Sequence, residues 1–168
     1  MSQETKIVAC IADTPDVPAL VKLWERFIRE ERQAVPDADP QAARRTWSDR
    51  LKTQISKRQV VVARRNGEPV GLAGFLDSAD RPWIPARVAY VVDVYLCPEA
   101  RSPTAAKVLF DRLVQRAVGD FDDLWTNTAS GNRRAQVLLE RVGFVPLEDF
   151  QIAGLKDQRY FSKKLSNG

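Results

Sequence analysis

Hydrophobic and polar positions alternate along Lys6 to Ala12 (KIVACIA), a β-branched run that predicts a strand. Asp13-Thr14-Pro15-Asp16 then offers cap and first-turn residues for a helix. In that helix Val17, Leu20, Val21, Leu23, Trp24, Phe27 and Ile28 recur at helical spacing, so one face is buried. Gln33 to Pro40 cannot continue it, because two prolines remove donors and the acidic residues favour turns; an exposed loop is expected. A second helix is predicted from Gln41 to about Ile55, with Trp47, Leu51 and Ile55 four residues apart on one side.

The runs Gln59 to Arg64 (QVVVAR) and Pro69 to Leu76 (PVGLAGFL) flank an Asn66-Gly67 pair, the signature of a tight hairpin. A Pro-containing loop with Trp83 follows, and Arg87 to Cys97 (RVAYVVDVYLC) reads as a long central strand ended by Pro98. From Pro103 the period becomes helical through Val108, Leu109, Leu113, Val114 and Ala117 until Gly119. A strand at Leu124 to Thr128, a helix from Asn132 to Val142 closed by Gly143, and strands near Phe144 to Leu147 and Gln158 to Leu165 complete an α/β pattern. No repeat or linker interrupts it, so one domain over residues 1–168 is expected.

With 44% hydrophobic residues the chain can bury a core large enough to hold a pocket. No stretch reaches the roughly 20 apolar residues of a membrane span, and Met1 to Lys6 lacks a basic-then-apolar leader pattern, so a cytoplasmic protein is expected. Cys10 and Cys97 lie in strand-like runs without CxxC spacing and read as buried, reduced thiols. The sequence contains no histidine, which removes the usual zinc sites, Ser-His-Asp triads and Cys-His pairs. Acid–base work must fall to Asp, Glu, Tyr, a thiol or water. The net charge of +4 includes clusters such as Arg44-Arg45 and Arg133-Arg134; these fit a solvated surface or a field for an anionic ligand. Nucleic acid is disfavoured, because no exposed aromatics interleave with the arginines.

The segment Asp93 to Lys107 has the order strand, sharp turn, helix. Ser102 suits an N-cap and Pro103 the first helical position, which would leave the amides of Thr104, Ala105 and Ala106 unpaired by the helix and free to face an anion, although a simple structural cap is the more frequent explanation of such residues. Arg101 and Lys107 add charge. It is no Walker A loop, lacking the glycines and the Lys-Ser/Thr ending.

A second segment runs from Asn132 to Phe144. Pro98, Glu99, Arg101 and Ala106 in the first, with Asn132, Ala135, Leu138, Glu140, Gly143 and Phe144 in the second, make the chain resemble the GNAT superfamily of acyl-CoA N-acyltransferases. The resemblance implies an α/β (α+β) fold. In it a mixed, mostly antiparallel central sheet is flanked by helices, and a splayed central strand pair forms an acetyl-CoA groove. It implies acetyl-CoA as donor, transfer of the acetyl group to a primary amine in a ternary complex, and self-association through the final strands. Partners would be a small-molecule or peptide amine, with neither nucleic acid nor membrane.

By the same resemblance, Val94 and Leu96 would hold the pantetheine arm, with the Leu96 amide polarising the thioester carbonyl. Arg101, Ser102, Thr104, Ala105, Ala106, Lys107, Asn132 and Ala135 would bind the rest of the cofactor. Asp93 and Tyr90 are the strand residues to test as base or relay, the favoured alternative being that Asp93 pairs with a neighbouring basic side chain and Tyr90 simply packs. Trp24, Trp47 and Trp125 read as packing residues; Trp83 and the loop around Asp37 and Asp39 are candidates for the acceptor side. Three positions depart from the family pattern. Ser102 and Thr104 replace glycines, Pro103 removes a donor, and Leu139 stands where many members carry the tyrosine that protonates the departing thiolate. A non-catalytic acyl-CoA-binding module is the alternative.

Overall fold

The structure, a computed structural model, describes residues 6–30, 39–148, 150 and 157–166. The chain runs β1 (Ile7–Ile11), α1 (Val17–Glu30), α2 (Pro40–Ser56), β2 (Val60–Arg65), β3 (Glu68–Leu76), β4 (Val88–Leu96), α3 (Pro103–Ala117), β5 (Asp123–Ala129), α4 (Arg133–Arg141), β6 (Val145–Leu147) and β7 (Gln158–Lys164). The strands form one sheet in the order β1-β2-β3-β4-β5-β7-β6. All pairings are antiparallel except β4 with β5. This is the mixed, mostly antiparallel sheet expected from the sequence. The loop expected at Gln33 to Pro40 lies outside the described residues up to residue 38, so Asp37 is not placed; Asp39 caps α2.

Local chemistry explains most element ends. Asp13 and Asp16 form a capping box before α1, Asp39 caps α2 with Pro40 at its start, and Asn66 and Gly67 take positive φ (52° and 81°) in the β2–β3 turn. Gly143 closes α4 with φ 95°.

The helices sort to the two faces by their apolar stripes. Ala105, Ala106, Leu109, Phe110 and Leu113 of α3 and Leu139 of α4 join one core with Val61, Ala73, Val91 and Leu96. Leu20, Leu23, Trp47 and Leu51 of α1 and α2 join another with Val60, Leu72, Tyr95 and Cys97. A third cluster beyond α2 gathers Leu76, Ile84, Tyr90 and Tyr160.

One irregularity positions everything that follows. In the β3–β4 ladder Gly74 faces Asp93 but Phe75 faces Val91, so Val92 is an extra residue, a β-bulge. Ala89 and Val91 pack under α3 before the bulge, and Leu96 does so after it, while Tyr95 and Cys97 pack under α1 and α2. Because a bulge bends its strand, β4 turns away from β5 there. Ladder pairing between the two covers only Val88 to Tyr90 with Asp123 to Trp125, followed by one side-chain bond in which Thr126 Oγ1 donates to the Val91 carbonyl (3.1 Å).

Candidate functional site

Main-chain groups of β4 beyond the bulge line the gap between β4 and β5. Cys97 N–H donates to the Val70 carbonyl at 2.9 Å, which makes Cys97 a hydrogen-bonded position toward β3. Antiparallel pairing alternates, so Val94 and Leu96 turn their N–H and C=O groups away from β3, into the gap. The Leu96 carbonyl accepts from Arg101 Nε at 2.8 Å; its amide is directed to the open side.

The start of α3 stands at the same end of β4, but its amides are not as free as the sequence suggests. Ser102 Oγ accepts from Ala105 N–H at 3.0 Å, and the Ser102 carbonyl accepts from Ala106 N–H at 3.0 Å. The expectation of three unpaired amides is corrected to one, Thr104. A serine hydroxyl fills the acceptor position that an anion would take, and helix hydrogen bonding begins at Ala106. Ala105 and Ala106 are buried against the sheet, so their smallness serves packing. Ser102, Thr104 and Lys107 are exposed, with Lys107 Nζ 2.5 Å from Asp111 Oδ2.

Arg101 folds back toward α1 instead of toward the helix start. Its Nη2 lies 2.5 Å from Glu30 Oε2, and the guanidinium sits 5.6 Å from the centre of the Tyr95 ring. Tyr95 Oη donates to Glu30 Oε1 at 2.8 Å. Burial and this bond to Glu30 push the Tyr95 phenol well above its usual range. At α4, Asn132 caps the helix by accepting from Ala135 N–H at 3.1 Å. Leu139 is buried in the core that also holds Leu96, Phe110 and Phe144.

Asp93 and Tyr90 both lie on the side of the sheet away from α3, yet they keep separate company. Arg50 of α2 places Nη2 2.5 Å from Asp93 Oδ2. Burial pushes the Asp93 carboxyl up, against the opposing pull of Arg50. Tyr90 Oη donates to Asn127 Oδ1 at 2.6 Å, Asn127 Nδ2 donates to Gln158 Oε1 at 2.8 Å, and burial raises the Tyr90 phenol well above its ordinary value. Trp83 packs its ring at 85° to Tyr90 and stays partly exposed. Cys97 is buried and Cys10 half-buried, and both are free thiols. Burial, followed by the Glu99 charge, raises Cys97. No group of His, Cys, Asp or Glu among the described residues could hold a metal ion, and no described helix is long and apolar enough to cross a membrane.

A family model described as acetyltransferase (GNAT) matches residues 20–144. The chain belongs to the GNAT acetyltransferase family. No curated protein matches the sequence. Solved structures share the GNAT fold along nearly the whole chain. YncA of Salmonella typhimurium, solved with its cofactor acetyl-CoA, is 18% identical with a TM-score of 0.67, covering 96% of this chain and 95% of its own. A GNAT-family acetyltransferase of Staphylococcus aureus Mu50 is 14% identical with a TM-score of 0.73, covering 96% and 100%. The PaiA N-acetyltransferase of Thermoplasma acidophilum, in complex with coenzyme A, is 14% identical with a TM-score of 0.70, covering 95% and 99%.

Within this GNAT frame, sequence reasoning missed Arg50 and Glu30. Each reaches its partner across more than 40 positions of sequence, Arg50 to Asp93 and Glu30 to Arg101, and no local pattern encodes such a pair. Trp24 and Trp47, read as packing residues, do stack on one another (centroids 4.9 Å apart), but they also line a cleft with α2.

Proposed function

We propose that the chain transfers the acetyl group of acetyl-CoA to a primary amine by direct attack in a ternary complex. The observation that carries this reading is the gap between β4 and β5, into which Val94 directs its main-chain groups and Leu96 its N–H beside the start of α3, the Leu96 carbonyl being taken by Arg101. The residues fit the group: Val94 and Leu96 would hold the amides of the pantetheine arm, and the Thr104 amide would meet the diphosphate. Ser102 and Lys107 would flank that position, Ala105 and Ala106 would join if the Ser102 hydroxyl yields its place, and Asn132 and Ala135 would contact the cofactor from the start of α4, while Arg101 is drawn off to Glu30. When bound, acetyl-CoA supplies an activated acyl carbon. The Leu96 amide is the fixed dipole for the carbonyl oxygen.

Asp93 is the group we assign to take the amine proton. Its raised affinity for a proton brings it nearer to working pH than an ordinary carboxylate. Tyr90 is held as a donor to Asn127 and serves by packing. A covalent acyl-cysteine is disfavoured, because Cys97 is buried and its thiol raised. With leucine at 139 the departing thiolate takes its proton from water or from the amine, which its ordinary pKa of about 8.5 tolerates.

Thr104→Glu tests the placement of the diphosphate with two readouts of opposite sign. A carboxylate in the first turn of α3 favours the helix dipole by about 0.3–1 kcal/mol, so the melting temperature should hold or rise. The same charge should repel the diphosphate and abolish coenzyme A binding by calorimetry. Unchanged affinity would contradict the site. Ser102→Gly should tighten coenzyme A binding, because it frees the Ala105 amide and removes a Cβ while costing the cap only a few tenths of a kcal/mol. Weaker binding would show that the Ser102 hydroxyl itself contacts the ligand.

A further inference from the structure

A cleft of about 430 Å³ opens between α1 and α2, within the size range of small-ligand sites. Its walls are mostly apolar, formed by the stacked rings of Trp24 and Trp47 and the adjacent Ala42 and Ala43 of α2, with Asp39 and Thr46 at its border. Arg50 also lines it, keeping 33% of its side chain exposed, and its Nη2 binds Asp93 of β4. Beside this pair Arg50 Nε is a buried donor with no hydrogen-bond acceptor among the described residues, and the Trp47 indole faces the Asp93 carboxyl. Buried donors without acceptors are rare in native interiors, so Arg50 Nε marks a place where an oxygen belongs.

The chemistry of the occupant follows from the pair. Arg50 and Asp93, 2.5 Å apart, offer a fixed cation beside a fixed anion. The complement of that arrangement is a ligand with an anionic oxygen pair next to an ammonium. A free amino acid carries both on one carbon. Its carboxylate would supply the acceptors that Arg50 lacks, as planar guanidinium groups favour. Its amine would turn toward Asp93, adjacent in sequence to Val94 at the gap, and an apolar side chain would lie on the tryptophans. A simple alkyl amine would leave the Arg50 Nε donor unpaired.

We infer that the acceptor is a free apolar amino acid, bound in the α1–α2 cleft with its zwitterionic head on the Arg50–Asp93 pair. This rests on the acetyltransferase reading above and adds the substrate class. The test titrates the full chain, with coenzyme A present, with L-phenylalanine, L-phenylalaninamide, phenethylamine and Phe-Gly-Gly. Tryptophan fluorescence and calorimetry report binding, and free-thiol release from acetyl-CoA reports turnover. Phenylalanine should bind roughly 10- to 100-fold tighter than its amide or phenethylamine, the range of a hydrogen bond to a charged group. Arg50→Gln should erase that preference. Ala43→Trp, which fills the cleft without touching the ion pair, should abolish binding of all the small amines and so keeps the test decisive if Arg50→Gln fails to fold. Equal affinity for acid and amide, tighter binding of Phe-Gly-Gly, or undiminished binding by Ala43→Trp would each overturn the inference. Coenzyme A affinity, measured separately, tells this failure from failure of the acetyltransferase reading.

Discussion

Asp93→Asn is expected to lower kcat by roughly 100- to 10,000-fold, the range over which a positioned proton acceptor contributes. Asparagine keeps a side-chain oxygen within reach of Arg50 Nη2, so the α2–β4 contact should survive while the capacity to hold a proton is lost. The fold should not weaken. Burial raises the Asp93 carboxyl above its unfolded value, so the folded state binds the proton more tightly. Stability then falls as pH rises from the unfolded pKa through the folded one, and removing the charge removes that penalty. In the native enzyme the kcat–pH profile should show an acid limb displaced above the ordinary carboxylate range, and the variant should lose it. An unchanged kcat with every acceptor would take Asp93 out of the reaction.

Gly71→Ala should damage both the fold and the site, although the residue touches no ligand. A methyl at Gly71 would lie 2.6 Å from the Tyr95 carbonyl oxygen and 2.6 Å from Leu96 Cδ2. The backbone contact cannot be relieved by a rotamer, so β3 and β4 must part where Leu96 presents its amide to the gap. Overpacking of this kind costs about 1–3 kcal/mol. In a chain of this length that is a melting temperature lowered by about 2–12 °C. Displacement of a positioned dipole by about 1 Å can cost 100-fold, so kcat/KM should fall by about that factor. Native melting temperature and kcat/KM together would show that the two strands accommodate the methyl.

The parts of this architecture that were legible in the sequence are those written in neighbouring residues. Asn66-Gly67, the Asp13 cap, Ser102-Pro103 and Gly143 each mark an element boundary through local backbone chemistry, and the structure places those boundaries within a residue or two. What the sequence hid depends on distant partners. Strict alternation along RVAYVVDVYLC would put Asp93 with Ala89 and Val91 under α3; the bulge at Val92 turns it to Arg50 instead, and only the pairing with β3 reveals that extra residue. The Ser102 hydroxyl was read correctly as a cap but not as a competitor for the amide beneath it. Trp47 looked like core and is core, yet its indole edge meets a cleft that exists only once α1 and α2 pack together.

The parting of β4 from β5 creates a sheet margin that lies inside the sheet. Outer margins are open to any passing chain, which makes them templates for unwanted pairing. Here the slot is pinned shut at Tyr90 and flanked by strands on both sides. A ligand with amides at intervals would meet there the main-chain groups of Val94 and the N–H of Leu96, which no neighbouring strand pairs on that side.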